Sequence, residues 1–146
     1  IEDFAELKIS IGSESIVAAI EAYGGIRKVA FMSPYYPIAN KEVANFFNDY
    51  GIETVRDICL QCPSWTSIAE VTTKTTRDVF NQLNSDDVDA IIQVGTNLSA
   101  IKLAAEMEKT LNKPVIAINT ATYWHALRTY GIKDKISGFG RLLEEY

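Results

Sequence analysis

The sequence predicts an α/β three-layer sandwich built on a four-stranded parallel sheet. Short apolar segments alternate four times with helical patterns along the chain, which is typical of parallel strands joined by crossover helices. Several of these segments are continuously apolar, as expected for strands that are buried on both faces. Because crossovers between parallel strands are right-handed, the strands are predicted to lie in the order 2-1-3-4 of flavodoxin-like folds.

Length and composition limit what the chain can be. A chain of 146 residues is long enough for one domain with a substantial core, and no linker or internal repeat divides residues 1–146. The net charge of -5 and the scattered lysines and arginines argue against nucleic acid as a partner. No apolar run approaches the roughly 20 residues of a membrane-spanning helix, so no membrane association is expected. Because the chain starts at Ile1, a processed N-terminus and a fragment boundary both stay open.

The first half of the chain predicts two strands and three helices. The first dozen residues are ambiguous between a short strand and an incoming connector. The elements that follow are a helix at Ser13–Tyr23, a strand at Lys28–Met32, a helix at Asn40–Tyr50, a strand at Glu53–Cys59 and a long helix at Thr66–Leu83. Gly24-Gly25 and Gly51 are suited to end the first two helices. The threonines of the long helix have low helix propensity, so packing must stabilise it.

The second half predicts two further strands, each followed by a helix. These elements are a strand at Ala90–Val94, a helix at Leu98–Leu111, a strand at Val115–Ile118, a helix at Thr122–Tyr130 and a last short helix within Ile136–Glu145. Asn97 is predicted to be the N-cap of the helix after the third strand, because its side chain can accept a hydrogen bond from a free N–H of the first turn.

The predicted strand order places a ligand site. The switch point of the order 2-1-3-4 falls between the first and third strands, and ligands bind in the crevice beyond the carboxyl ends of such strands. The loops Ser33–Pro37 and Gly95–Ser99 should therefore face each other across one site. The loop Asn119–Thr122 should border it.

The residues of these loops suit a carboxylate ligand. Gly95-Thr96-Asn97 offers successive backbone N–H donors at a helix start, where anions bind and where a developing oxyanion can be stabilised. Ser33 adds a hydroxyl, and Tyr35, which we favour over Tyr36, adds a phenol that donates without adding charge. A tight turn capped by Asn97, with loop aromatics that merely cover the sheet end, stays open as the alternative.

The other reactive side chains give weaker signals. Cys59 and Cys62 form a lone CxxC, which is found in redox pairs and in half of a zinc site. No second Cys/His pair accompanies them, so we interpret them as ordinary reduced thiols, predict no metal site, and expect a cytoplasmic protein. His125 is interpreted as a packed or surface histidine rather than a general base. No phosphate-binding loop motif is present.

The chain resembles a known family at several motifs taken together. The motifs are Ser33-Pro34-Tyr35, Asn40, Gly95-Thr96-Asn97-Leu98, Lys113-Pro114-Val115, Asn119 and Trp124-His125-Ala126-Leu127-Arg128. Their order and spacing are similar to the carboxyl-terminal half of the aspartate/glutamate racemase superfamily, in the branch of maleate cis-trans isomerase and arylmalonate decarboxylase. The resemblance extends from about Ser13 to the end of the chain.

The resemblance implies a small-acid enzyme with no metal or organic cofactor. In that family, two pseudosymmetric α/β halves enclose a small carboxylic acid. Tyr35 matches a carboxylate-binding tyrosine, and Thr96, Asn97 and Leu98 match a carboxylate-binding turn. Gly95 stands at the position of the family's cysteine, so the catalytic thiol is absent from this half. The amino-terminal half, which would carry the other cysteine, is missing from the chain.

Two hypotheses for function follow from this resemblance. In the first, the chain is the carboxyl-terminal part of a decarboxylase or cis-trans isomerase of a small carboxylic or dicarboxylic acid, and the absent half supplies the one cysteine. In the second, the chain is a non-catalytic carboxylate-binding or regulatory module. The partners expected are the acid itself and either the missing half or a second copy. A CxxC redox protein is a third, weaker interpretation.

Overall fold

The computed structural model describes residues 7–146 and has a four-stranded parallel sheet between two layers of helices. Its strand order, β2-β1-β3-β4, confirms the predicted fold class and topology. The strands are β1 (Lys28–Ser33), β2 (Glu53–Cys59), β3 (Ala90–Gln93) and β4 (Val115–Ala117). The helices are α1 (Gly12–Tyr23), α2 (Pro37–Asp49), α3 (Trp65–Ala69), α4 (Thr73–Leu83), α5 (Ile101–Leu111), α6 (Ile118–Thr129) and α7 (Arg141–Glu145).

The central strands are buried on both faces, which explains their continuous apolar sequence. Side chains alternate across the sheet, so Phe31 and Ile92 pack with α1, α2, α6 and α7 on one face. Met32 and Ile91 pack with α3, α4 and α5 on the other. Each layer therefore has its own apolar core, and the sheet separates the two.

The beginning of the chain is only partly described. The expectation of a short strand or connector over the first dozen residues lies outside the described part for residues 1–6, and residues 7–11 form no strand. Within residues 7–146, no helix is both long enough and apolar enough to cross a membrane.

The predicted long helix at Thr66–Leu83 is wrong, because two helices occupy this segment. Ser64 caps α3 by accepting the Ser67 N–H at 3.1 Å, and Thr72 caps α4 by accepting the Thr75 N–H at 3.1 Å. Hydroxyl side chains that bind nearby backbone N–H groups favour a helix start over a helix interior. Thr72, one of the threonines that lower the helix propensity of this segment, therefore starts a second helix inside it.

Other predicted boundaries differ from the structure as well, and α2 begins at Pro37 rather than at Asn40. Helix α5 begins at Ile101 rather than Leu98, after an irregular turn. Helix α6 begins at Ile118, directly after β4, so Asn119–Thr122 is a helical first turn and not a loop. The last helix is confined to Arg141–Glu145 because Gly138 and Gly140 have φ of +88° and +98°, which a right-handed helix does not accept.

A buried carboxylate ties the last segment of the chain to the core. Glu108 of α5 is 4% exposed and accepts hydrogen bonds from the Tyr23 hydroxyl at 2.6 Å and from the Arg141 backbone N–H at 2.8 Å. Burial and the hydrogen bond to this carboxylate raise the pKa of Tyr23, so the phenol stays protonated as the donor. Glu108 thereby joins α1, α5 and α7.

We expect Tyr23→Phe to lower the free energy of unfolding by about 1.5–3 kcal/mol, because it leaves a buried carboxylate oxygen without its donor. Urea unfolding measures this change. The matched control is Tyr50→Phe on the exposed end of α2, which should alter stability by less than about 0.5 kcal/mol. Equal stabilities of the two variants would contradict this role of Glu108.

Candidate carboxylate-binding site

The two loops that the strand order predicts to face each other do so. The loop after β1 brings the ring of Pro34 against the backbone of Gly95, which follows β3. A Cβ atom placed on Gly95 would lie 2.5 Å from Cδ of Pro34 and 3.6 Å from the hydroxyl oxygen of Tyr35. The crevice at the switch point therefore joins the predicted tyrosine to the predicted glycine turn.

The backbone at Gly95 requires glycine for two independent reasons. Its φ of +102° lies in a region that L-residues with a side chain rarely adopt. In addition, the close approach of Pro34 leaves no room for a Cβ. A cysteine at position 95 would therefore not fit this turn without movement of Pro34 and of the backbone.

The carbonyl oxygens of this turn accept hydrogen bonds from two side-chain amides, those of Gln93 and Asn119. The side-chain Nε2 of Gln93 donates to the Val94 oxygen at 2.9 Å and to the Gly95 oxygen at 2.8 Å. The Gly95 oxygen also accepts the Leu98 N–H at 3.2 Å. Nδ2 of Asn119, in the first turn of α6, donates to the Thr96 oxygen at 2.8 Å. These bonds fix the orientation of consecutive peptide groups.

The N–H groups of the same peptides consequently face the other way. In a trans peptide, the C=O and N–H bonds point in opposite directions, and the described residues contain no cis peptide. Gln93 binds the Gly95 oxygen and Asn119 binds the Thr96 oxygen. The N–H groups of the same two peptides, those of Thr96 and Asn97, therefore point away from these side chains. Within residues 7–146, neither N–H has an acceptor, and both residues are exposed. Two adjacent unpaired N–H groups form a concavity suited to an anion.

A chain of hydrogen bonds at the base of the loop after β1 positions Tyr35. The backbone N–H of Tyr35 donates to Oγ of Ser33 at 3.0 Å, and the Ser33 hydroxyl donates to Oδ1 of Asn40. Nδ2 of Asn40 donates to Asp57 at 2.5 Å, which sets the orientation of the Asn40 amide. The main chain of the loop is also bound to the segment after β2, since the Cys62 N–H donates to the Pro34 oxygen at 2.9 Å. The Tyr35 side chain, by contrast, is half-buried with its hydroxyl free among the described residues.

The other predicted site residues have different surroundings. Ser33 is fully buried, and its hydroxyl is engaged with the loop rather than open to the crevice. The side chain of Leu98 is also fully buried. Asn97 is not the N-cap of α5, where Ala100 stands with no side-chain cap. The Asn97 amide instead donates to the Trp65 oxygen at 2.5 Å, because the helix starts later than predicted.

An apolar cleft of about 550 Å³ lies beside Tyr35, between the loop after β1 and α3. Its lining includes Pro34, Tyr35, Tyr36, Cys62, Trp65 and Ile68. Cys59 and Cys62 are both free thiols, and burial raises the pKa of Cys62, which keeps that thiol protonated at neutral pH. In the described part of the chain, no group of three or more His, Cys, Asp or Glu side chains is placed to hold a metal ion.

His125 lies away from this crevice. Its Nδ1 is 2.8 Å from the Ser10 hydroxyl and 3.2 Å from the Ser15 hydroxyl, in contacts between α6 and the start of α1. These contacts agree with the interpretation of His125 as a packed histidine.

Sequence reasoning missed Gln93 as part of the site. The surrounding strand is apolar and gives no reason to single out one residue. A glutamine at the end of such a strand is nevertheless a signal for a buried polar contact near the turn that follows. The contribution of the Trp65 backbone oxygen had no sequence signal, because any residue type supplies one.

Residues 1–143 match the family model of arylmalonate decarboxylase. The maleate isomerase of Alcaligenes faecalis is 22% identical over 143 residues, which cover 97% of this chain and 56% of the relative. The arylmalonate decarboxylase of Bordetella bronchiseptica is 27% identical over 124 residues, which cover 83% of this chain and 52% of the relative. The chain thus spans about half the length of these relatives.

Solved structures give the same picture of the fold. A double mutant of arylmalonate decarboxylase in its liganded form superposes with a TM-score of 0.92 at 25% identity. The match covers 99% of this chain and 63% of that chain. The fold of this chain is therefore that of a large part of the arylmalonate decarboxylase structure.

We expect Gly95→Ala to lower the free energy of unfolding by about 2–5 kcal/mol, through the positive φ and through overlap with Pro34. The matched control is Gly24→Ala, where φ is +69° and nothing lies within 4 Å of the added Cβ. Because Gly24 has a ψ of 151°, this control keeps the backbone strain without the overlap, and it should cost about 1–3 kcal/mol. Urea unfolding compares them.

The overlap can be separated from the backbone strain by a second substitution. In a Pro34→Ala background, the cost of Gly95→Ala should fall towards that of Gly24→Ala. An unchanged cost in that background would show that Pro34 does not set the requirement for glycine.

Proposed function

Because this chain belongs to the arylmalonate decarboxylase family, we propose that it forms the carboxylate-binding part of a cofactor-independent enzyme. The reaction is the decarboxylation or the cis-trans isomerisation of a small carboxylic or dicarboxylic acid. The observation that carries this proposal is the pair of unpaired N–H groups on Thr96 and Asn97, opposite the free hydroxyl of Tyr35. Both of these features lie at the switch point of the sheet, where such folds bind ligands.

Each residue of the site has a distinct role in this proposal. The N–H groups of Thr96 and Asn97 and the phenol of Tyr35 donate hydrogen bonds to one substrate carboxylate. Gly95 has no side chain, which lets the Pro34 ring approach and brings the Tyr35 hydroxyl close to the turn. Ser33 positions the Tyr35 backbone, and the buried side chain of Leu98 anchors the end of the turn.

This arrangement fits chemistry in which negative charge develops on carboxylate oxygens. Loss of CO₂ from a malonate leaves the electron pair of the broken C–C bond on the remaining carboxylate as an enediolate. Addition of a thiolate to the double bond of maleate forms a C–S bond and moves the π electrons onto the adjacent carboxylate in the same way. Donors that are already oriented towards those oxygens stabilise that charge more than they stabilise the substrate. Three neutral donors at one carboxylate supply this stabilisation without a lysine or arginine.

The proton donor or nucleophile is proposed to lie outside this chain. Gly95 has no side chain to give or take a proton, and burial keeps the Cys62 thiol protonated. A part of the protein outside this sequence would supply a cysteine, and that part or a second copy would cover the crevice. Exposed apolar side chains at the same edge, Tyr36, Ile38 and Trp65, support a covering partner. The free thiols support a reducing compartment, the cytoplasm.

A non-catalytic carboxylate-binding or regulatory module is the second candidate. The fit of the turn to glycine favours it, because the contact between Pro34 and Gly95 is adapted to the absence of a thiol. The rest of the gene discriminates between the candidates. A Cys-Thr or Cys-Gly turn after another apolar strand favours the enzyme, whereas a second glycine at that place favours the module.

We expect this protein to bind malonate and Tyr35→Phe to weaken the binding at least about tenfold, because a hydrogen bond to a charged group is lost. Isothermal titration calorimetry measures the affinity. Tyr36→Phe is the matched control, since Tyr36 is the exposed neighbour in the same loop, and it should bind as the unmodified protein does. Equal weakening by both substitutions would contradict the role of Tyr35.

The chain on its own should not turn over malonates or maleate, because it lacks a thiol at position 95. Proton NMR of each acid, incubated with the purified chain, follows product formation. Turnover above the uncatalysed rate would contradict the assignment of the reactive group to a part outside this chain.

A further inference from the structure

Gln93 is a polar side chain in an apolar core. It is the last residue of β3 and is 1% exposed. Its side chain shares a sheet face with Ile91, towards the core formed with α4 and α5. The neighbouring strand residues in register with it are Met32 and Ala117, both apolar. Burial of an amide in such surroundings is unfavourable unless its hydrogen bonds are made.

Only one end of this amide makes hydrogen bonds. Nε2 donates to the oxygens of Val94 and Gly95. Because both partners are acceptors, the NH₂ group must be the end that faces them. Oε1 has no partner among the described residues. Stability alone does not explain an amide that leaves a buried acceptor unpaired.

The bonds to the turn explain why an amide stands here. Glycine permits rotation of the peptide that follows it, since it has no side chain to restrict its backbone. A rotated Gly95–Thr96 peptide would point the Gly95 oxygen into the crevice and withdraw the Thr96 N–H. The NH₂ group of Gln93 favours the other orientation by binding the Gly95 oxygen at 2.8 Å, shorter than the 3.2 Å bond from the Leu98 N–H.

We infer that Gln93 is a positioning residue that selects the anion-binding orientation of the Gly95–Leu98 turn. It does not touch the ligand, and it acts through the Gly95 and Val94 carbonyl groups. The inference rests on the proposed carboxylate site for its consequence in binding. The orientation of the turn can be tested without any ligand.

The test is Gln93→Met, which keeps the length of the side chain and removes the donor. Amide chemical shifts of Thr96 and Asn97 are recorded by ¹H–¹⁵N NMR without ligand, and malonate affinity is measured by calorimetry. We expect the Thr96 amide signal to shift or broaden and the affinity to fall about tenfold, the effect of losing one oriented donor. Gln93→Leu should give the same result, and it serves if the methionine variant does not fold.

The matched control is Thr76→Val, which also replaces a fully buried polar side chain but on α4, where the hydroxyl donates to the Thr72 oxygen and to no other acceptor of residues 7–146. It should leave the Thr96 signal and the affinity unchanged. Unchanged signals and unchanged affinity in the Gln93 variants would overturn the inference, even if the unmodified protein binds malonate. A shifted Thr96 signal in a protein that binds neither malonate nor maleate would uphold the inference and contradict the proposed carboxylate site.

Discussion

The site depends on the close approach of the Pro34 ring to Gly95, which has no side chain. The loop after β1 and the turn after β3 come this close only because position 95 has no side chain. The contact brings the Tyr35 hydroxyl next to the turn, and the φ of +102° at Gly95 starts the irregular segment that delays α5 to Ile101. The shape of the crevice therefore follows from one glycine and one proline.

The chemistry of the crevice follows from the orientation of two peptide groups. Their oxygens are bound behind the turn by Gln93 and Asn119, so their N–H groups point forward. These donors need little reorganisation when a carboxylate binds, which is the condition under which hydrogen bonds stabilise a developing charge most. The same glycine that admits the Pro34 ring leaves position 95 without a thiol. In this account, carboxylate binding and the step that needs a proton donor or nucleophile therefore belong to different parts of the protein.

The fold could be predicted well from the sequence, and the site only in part. Apolar periodicity and right-handed crossovers were sufficient for the strand order, and the strand order placed the two loops. The break in the helix predicted at Thr66–Leu83 was missed because a local hydroxyl group, that of Thr72, decides it. Asn119 is 23 residues from the oxygen that it binds, so its role required the fold. Gln93 was hidden because the strand around it is apolar.

The most direct test of the account is a crystal structure of the protein grown with malonate. One carboxylate of malonate should lie within hydrogen-bond distance of the N–H groups of Thr96 and Asn97 and of the Tyr35 hydroxyl. The Gly95 oxygen should remain bound to Gln93 in the same structure. Malonate bound elsewhere, or a Gly95 oxygen turned into the crevice, would contradict the central claim that this turn is a carboxylate site.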